Sequence, residues 1–565
     1  MDAPDDITRN AEPGRSEDFA EDGSVKDPGR RRLVTGAAAL AAASLLPAYG
    51  LAGESRGHSR EHARGHGHGG AGADDLFSLG VASGDPGARG VVLWTRLAPD
   101  PLNGGGMGRR AAGVQWRIAR DPDMRRVVKA GEVLARAEDG HAVLVDVRGL
   151  DPDRWYYYQF SHRGRRSRIG RTRTFPLPGM RCQRLRFALA SCQDFQAGYY
   201  AAYRDMLEQR LDFVLHVGDY IYEYAGDPAV PDARRHVGGE TITIEDYRNR
   251  YAQYRLDADL QNAHAAYPFV VTYDDHEVDN NYAGLVPEDD QDAAAFLARR
   301  TAAYKVYRET MPLRRRVRLR AGELSLYRRL RYGNLAQFLV LDSRQYRSDQ
   351  PCADGLQILQ QCPQILDADA TMLGAEQEAW MFERLAASRA TWNVLAQQVM
   401  MMRWDLGAVT GAPVNMFNVD AWDGYQVSRD RVMRFLDDAR IANPVVLTGD
   451  IHSAWAAELK RDFALADSPT VGAEFVCSSI ASTFGDANVP LVQATLPSNP
   501  HIRFFDGLHR GYAVCEVTPD QWRTTFRAVQ RIADPVFNVP SPELPLFDLA
   551  AFGLIAGQPG LNRLL

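Results

Sequence analysis

Residues 213–224 read FVLHVGDYIYEY: a short apolar run, a Gly-Asp turn, and a tyrosine three residues beyond the aspartate. A strand that ends this way delivers Asp219 and Tyr222 to the loop at its carboxyl end, where a carboxylate can bridge two cations while a phenolate binds one of them. The same build recurs along the chain. Residues 187–192, FALASC, end on Cys192; residues 445–455, VVLTGDIHSAW, carry Asp450 and His452; residues 269–281, FVVTYDDHEVDNN, carry Asp275, His276 and Asn281. Ligands from separate strand-to-loop junctions converge when the strands share a sheet, and a rigid sheet edge holds them to the tolerance that metal chemistry requires. One buried metal site assembled at strand ends is the expectation.

The donor types narrow the metal. A phenol keeps its proton to pH ~10 and a free thiol to ~8.5, so both become ligands only beside a strongly Lewis-acidic ion such as ferric iron. A site for magnesium or calcium alone would draw on carboxylate, carbonyl and water oxygens. Cys192 by itself reads as a buried free thiol; the three companion segments turn it into a candidate ligand.

Strands and helices alternate around these segments. FALASC precedes YYAAYRDMLEQ, LDFVLHVGD precedes IEDYRNRYAQYR, and PFVVTYDDHE precedes AAFLARRTAAYKVYRE. The pattern predicts an α/β domain over residues 179–535 with its ligands at strand carboxyl ends. Upstream, GVVLWTRL, VQWRIAR, HAVLVDVRGL and WYYYQFSHRG are short strand-like runs punctuated by SGDPG, RDPD, AEDG and LDPD turns. They predict a small all-β, fibronectin-like domain over 76–178 that supplies no catalytic constellation. Arg314, Arg315, Arg316, Arg318 and Arg320, interleaved with Val317 and Leu319, read as a half-buried strand with a solvated face rather than as a phosphate or membrane patch. The tail, 536–565, is apolar with helical spacing and predicts a helix packed on the core; a cap over the catalytic cleft or a lipid contact are the alternatives.

Composition sets the outer limits. A chain of 565 residues, 45% hydrophobic and 24% charged with a net charge of −6, is globular, needs more than one core, and does not favour nucleic acid as a partner. Arg30, Arg31 and Arg32 precede an Ala- and Leu-rich run, so residues 1–52 read as a twin-arginine export signal that engages the Tat export machinery. That run falls short of the ~20 residues of a bilayer span. Residues 53–75, with His58, His62, His66 and His68, read as a flexible Gly/His-rich linker. A secreted monomer with no transmembrane anchor is therefore expected. Cys352 and Cys362 flank a compact loop and form the natural disulfide, while the pairing of Cys182, Cys477 and Cys515 stays open.

ASC, HVGDYIYEY, DDHEVDNN, LDSRQYR and LTGDIHSAW, in this order, resemble the successive motifs of the PhoD-type alkaline phosphatases. That family is a branch of the calcineurin-like metallophosphoesterases with phospholipase D-like members. FSLGVASGDPGARGVVLWTRL resembles its N-terminal domain. The resemblance implies an α/β metallophosphoesterase-like sandwich, two mixed sheets flanked by helices, after the β domain. It implies a secreted hydrolase of phosphate monoesters and diesters that uses Fe(3+) and Ca(2+). It places Cys192, Asp219, Tyr222 and Asp450 around iron, with Asp219 bridging to calcium and His452 closing the cluster. Asp275 stands where the wider superfamily has the Asn of GNHE, and Asn281 offers a neutral oxygen from the following loop.

The departures from that superfamily share a direction. Its D-x-H, GDxxD and GHxH become the Cys192 segment, GDYIY and GDIH, and added anionic donors stabilise ferric over ferrous iron. Purple acid phosphatases share the GDxxY tyrosine but keep GNHE and a strand-end GHxH; here GNHE is absent, and GHxH occurs only at Gly65–His68, in the Gly/His-rich linker. His276 is expected either to serve the leaving group as acid or electrostatic partner, or to orient a metal-bound carboxylate. Arg344, with Asp274 and Glu277, is expected to contact substrate or to support the ligands. Two other readings stand beside the phosphatase: a phospholipase D-like diesterase acting on phospholipid headgroups, and a non-catalytic secreted metal-binding or adhesion protein. The ligand set exceeds what a tetrahedral structural site needs, which argues against the second.

Overall fold

Three short runs, Leu185–Ala190, Phe213–His216 and Pro268–Val271, are apolar at nearly every position, the pattern of strands covered on both faces. They lie side by side as parallel strands, Phe213 opposite Phe187 and Val214 opposite Phe269. The computed structural model that shows this describes residues 75–565 except 290, 315, 412, 413, 466 and 531–544. The export signal and all of the expected linker but Asp75 thus lie outside the described residues.

These three strands are the centre of a ten-stranded mixed sheet. A second, seven-stranded sheet holds three more parallel apolar strands, Ala336–Val340, Trp392–Ala396 and Pro444–Thr448. The sheets face each other across a core that includes Phe187, Leu215 and Val270 from the first and Phe338, Val394 and Leu447 from the second. Helices cover the outer faces. Ala201–Glu208, Ile244–Arg255, Ala258–Ala266 and Ala293–Thr310 pack on the first sheet through a tyrosine-rich cluster, and Gly374–Ala386 and Gln426–Asp438 pack on the second.

The segment expected to be a separate β domain is joined to the catalytic sheet. Val81–Gly87 pairs in parallel with Pro268–Val271, and Gly90–Arg96 and Ala142–Arg148 continue the sheet outward. Its remaining strands form a five-stranded sheet that packs on this extension through Val91, Leu93, Ile118, Tyr156 and Phe160. The segment is all-β in its strands, but one of its two sheets is the edge of the catalytic one. A strand-by-strand reading finds turns and alternation; it cannot see which edge a strand joins.

Two further expectations are corrected. The tail forms no helix among the described residues: Leu546–Ile555 and Gln558–Arg563 are antiparallel strands that complete the other edge of the large sheet. Ala550, Phe552 and Leu554 enter the inter-sheet core with a period of two, while the Leu- and Ala-rich composition imitates a helix; an available sheet edge overrides that weak propensity. The arginine-rich segment is not one strand, since only Leu319–Arg320 pairs, with Glu323–Leu324, although Val317 is buried as expected. Cys352 and Cys362 are bonded, and the other four cysteines are free and buried. Among the described residues no helix is long and apolar enough to cross a membrane.

Because the tail belongs to the core, Phe552→Ala should destabilise the protein by about 3–5 kcal/mol. Urea unfolding checks this; a stability loss below ~1 kcal/mol with raised activity would instead mark a removable cap.

Candidate metal centre

Each predicted ligand segment leaves a parallel strand at its carboxyl end, and backbone hydrogen bonds zip the resulting loops together. Cys192 N–H donates to the Gly218 carbonyl at 3.1 Å and Gln193 N–H to that of Asp219 at 3.0 Å, while Ile480 and Ala481 N–H groups donate to the carbonyls of Ser191 and Cys192. The loops approach closely enough to require glycine. A Cβ on Gly218, where φ is +128°, would stand 2.8 Å from the Asp274 nitrogen, and one on Gly449 would stand 2.6 Å from Ser191 Cβ. The glycines of GDYIY and LTGD thus serve the contact between ligand loops. Cys192, Asp219, Asn281, Asp450 and His452 all adopt positive φ, a sparsely populated conformation for residues with a side chain, and such strain concentrates at functional sites.

The side chains form one continuous cluster. Cys192, Asp219 and His452 present donor atoms mutually within 4.8 Å, as do Asp219, Asp275 and His276, and Asp274, Asp275 and Asp450. Tyr222 ties the first group together: its hydroxyl donates to Asp219 Oδ2 at 2.9 Å, lies 2.9 Å from His452 Nε2, and is met by Ser482 Oγ at 2.7 Å. Its ring stacks on His276 with centroids 4.1 Å apart. Asn281 donates its backbone N–H to Asp275 Oδ2 at 2.7 Å and its side-chain amide to Asp354 Oδ2, also at 2.7 Å. That second bond occupies the amide nitrogen and leaves Oδ1 as the free acceptor. A cavity of about 300 Å³ opens onto the cluster, lined by Asp219, Asp275, His276, Asn281, Asp450 and His452.

Two details bear on the sequence-based expectation, and the first departs from it. His452 rather than Asp450 stands beside Cys192, Asp219 and Tyr222, whereas Asp450 groups with Asp274 and Asp275. Within GDIH the carboxylate thus joins one donor group and the imidazole another. Of the two roles expected for Arg344, the structure matches support of the ligands, since it is fully buried among the carboxylates. Its Nη2 lies 2.8 Å from Asp450 Oδ1 and 3.3 Å from Asp275 Oδ1, its Nη1 binds both oxygens of Asp420 at 2.9 Å, and its Nε pairs with Asp274. It is a positioning residue.

The electrostatics describe a site short of positive charge. Burial, and then the adjacent Asp219 carboxylate, push the Cys192 thiol and the Tyr222 phenol well above their ordinary ranges. Burial likewise raises Asp274 and Asp450, and Arg344 offsets this only in part. For Asp275 burial is outweighed by Arg344 and His276, which hold its carboxylate below the usual range. Burial opposes a charge on His276, but Glu223, Asp275 and Asp219 prevail and raise its imidazole well above the ordinary value. Glu223 accepts from His276 Nδ1 at 2.9 Å. Asp219 Oδ1 is buried with no hydrogen-bond partner, and Asp275 Oδ1 has only the Arg344 guanidinium at 3.3 Å. Such oxygens are destabilising unless a cation satisfies them, so the donor set fits a metal cluster.

Four residues of the centre carry no mark in the sequence pattern: Glu223, Asp354, Asp420 and Ser482. Glu223 lies within GDYIYEY, and Asp420 within NVDAWDGY. Glu223 stands well past the strand Phe213–His216, and Asp420 follows Met416–Asn418, a strand of three residues that is too short to show in the sequence pattern.

A family model described as PhoD-like phosphatase matches residues 187–526, and one described as PhoD-like phosphatase, N-terminal domain matches 65–176. The chain belongs to the PhoD-like phosphatase family. It is 47% identical over 463 residues to alkaline phosphatase D of Bacillus subtilis (strain 168), covering 81% of this chain and 78% of that protein. It superposes on a solved structure described as that of PhoD with a TM-score of 0.81 and 45% identity, covering 87% of this chain and 92% of that one. This PhoD-like chain is accordingly a phosphoric ester hydrolase, and the non-catalytic adhesion reading falls.

Replacing Arg344 by Met should leave Asp274, Asp420 and Asp450 without their common cation and destabilise the chelator-treated protein by about 3–5 kcal/mol. Urea unfolding with and without added divalent cation measures it, and cation should restore part of the loss. Asp354→Ala should weaken divalent-cation binding about tenfold by freeing the Asn281 amide to rotate, while Asp354→Asn, which keeps an acceptor oxygen, should recover most of it; calorimetric titration of the cation reads both.

Proposed function

We propose that the protein is an extracytoplasmic, metal-dependent hydrolase of phosphate monoesters and diesters. The observation that carries the metal assignment is the Cys192–Asp219–Tyr222–His452 group, three buried residues and a half-buried histidine, which brings a thiol, a carboxylate, a phenol and an imidazole together. Cys192, Asp219, Tyr222 and His452 would hold Fe(3+). Asp219 would be shared with Ca(2+), which Asp275, Asp450 and the Asn281 side-chain oxygen would complete. These ions supply Lewis acidity toward a phosphoryl oxygen and a lowered pKa for water.

The chain's own residues do the rest. The cavity's lining orients the phosphoryl group over the ligand loops, with His276 and Asn280 at its wall beside the ligands. His276 has Nδ1 tied to Glu223 and keeps Nε2 to give a proton to the departing oxygen. Arg344 holds Asp275 and Asp450 in place from below, so the ligands need not reorganise as charge develops. Ser482, against both Tyr222 and the Cys192 carbonyl, fixes the phenol's position.

Export by the twin-arginine route rests on Arg31 and Arg32 and would be blocked by lysine at both positions, read as loss of protein outside the cell. Tyr222→Phe should abolish a visible phenolate-to-iron absorption band together with most activity; an unchanged spectrum in the iron-loaded protein would overturn the iron assignment. A phospholipid headgroup diesterase is separated by turnover of a chromogenic phosphate ester against phosphatidylcholine, each with chelator and with iron plus calcium restored.

A further inference from the structure

Well away in sequence from the ligand motifs, arginines gather around a second cavity. It has a volume of about 460 Å³, and its lining includes Arg89, Arg148, Arg314, Arg316, Arg329 and Arg331. Four elements contribute. Arg89 sits in the turn between Val81–Gly87 and Gly90–Arg96, and Arg148 ends Ala142–Arg148. Arg314 and Arg316 follow the helix Ala293–Thr310, and Arg329 and Arg331 project from the outward face of the edge strand Arg328–Tyr332, whose Arg328, Leu330 and Tyr332 point inward.

The cations outnumber the acids that face them. Asp85 is buried and already held by Arg328 Nε at 2.8 Å, with the Arg314 backbone N–H at 3.1 Å. Asp146 is shared by Arg148 Nη2 and Arg314 Nη1, each at 2.8 Å. Among the described residues the side chains of Arg89, Arg316, Arg329 and Arg331 have no hydrogen bond or ion pair. Burial, and then the neighbouring Arg331 guanidinium, lower the pKa of Arg329. Like charges this close repel unless an anion sits among them. That a protein of net charge −6 concentrates unpaired arginines in one concavity is the more pointed for its overall sign.

We propose that this cavity is a second, non-catalytic anion site that takes the phosphoryl groups of an extended polyanion or of free phosphate. A guanidinium presents a planar fork of N–H donors that matches a phosphoryl group in bidentate fashion. Guanidiniums converging from several sides suit a multiply charged tetrahedral anion better than a lone carboxylate. The concave shape favours a chain or a small anion over a flat lipid surface. The site stands independently of the proposed catalytic chemistry, because it is read by binding rather than turnover.

The test uses the metal-loaded full chain and the double variant R329Q/R331Q, whose altered side chains leave the core strand pattern intact. Calorimetric titration with polyvinylsulfonate, a polyanion without a hydrolysable ester, should show binding that weakens with salt. The variant should bind about a hundredfold more weakly, roughly tenfold for each arginine. Hydrolysis of a small chromogenic ester should be unchanged, so a failure of the catalytic reading would appear there and leave the binding result intact. Inorganic phosphate that displaces the polymer identifies a single-phosphate ligand, and polymer binding resistant to phosphate identifies an extended one. Equal polymer binding by variant and wild type overturns the proposal. So does arginine-dependent binding to phosphatidylglycerol vesicles without binding of either soluble anion, which would make the patch a membrane surface.

Discussion

Charge compensation beneath the ligand loops governs this molecule. Asp219, Asp274, Asp275, Asp420 and Asp450 are buried or nearly so within one cluster, an arrangement that would expel itself in the absence of cations. The Arg344 guanidinium touches four of them, and its planar donor array is what allows one side chain to do so. Asp219, the fifth, has no such partner and carries a buried free oxygen. The protein therefore supplies permanent positive charge on one side of the cluster and leaves the other side to a bound ion.

The scaffold that tolerates this is larger than the ligand strands require. Residues 81–148 add three strands to one edge of the ten-stranded sheet, and residues 546–563 add two to the other. The first addition covers the strand that ends at Asp275, and the second pairs with Gln521–Val529, two strands beyond the one that ends at Cys192, so every ligand strand of this sheet is paired on both sides and holds its loop more rigidly than an edge would. The loops themselves are locked by backbone bonds between the Cys192, Asp219 and Ile480 segments and by the glycine contacts at Gly218 and Gly449. Positive φ at five of the proposed ligands is then held in place by its surroundings.

Much of the centre is legible in the order of residues alone. Apolar runs that stop at GD, SC or DDH announce strand ends, and metal-seeking side chains immediately afterwards have few other uses. Asp420 and Asp354 are not legible: Asp420 follows a strand of only three residues and reaches the cluster through Arg344 and Arg347, and Asp354, on the disulfide-bridged loop, reaches it through the amide of Asn281. Arg344 is visible in its motif, but its work is not, since a motif shows that an arginine is near a site without showing on which side of the carboxylates it lies. The arginine-rich run imitates a solvated strand face because its partners in the cavity, Arg89, Arg148, Arg329 and Arg331, come from other segments of the chain, two of them remote.

By itself, the sequence determined the chemistry that was available and the ends of strands where it would appear: a thiol, a phenol, carboxylates and imidazoles after apolar runs, in the order of one phosphatase family. Those features are local, and hydrophobic periodicity and donor type are local properties. The tertiary structure decided the partners. It placed His452 rather than Asp450 beside Tyr222, put Arg344 under the carboxylates, turned the apolar tail into sheet, and gathered scattered arginines into one cavity. Each of these depends on distances between segments remote in sequence, which sheet pairing and core packing set and no stretch of residues encodes alone.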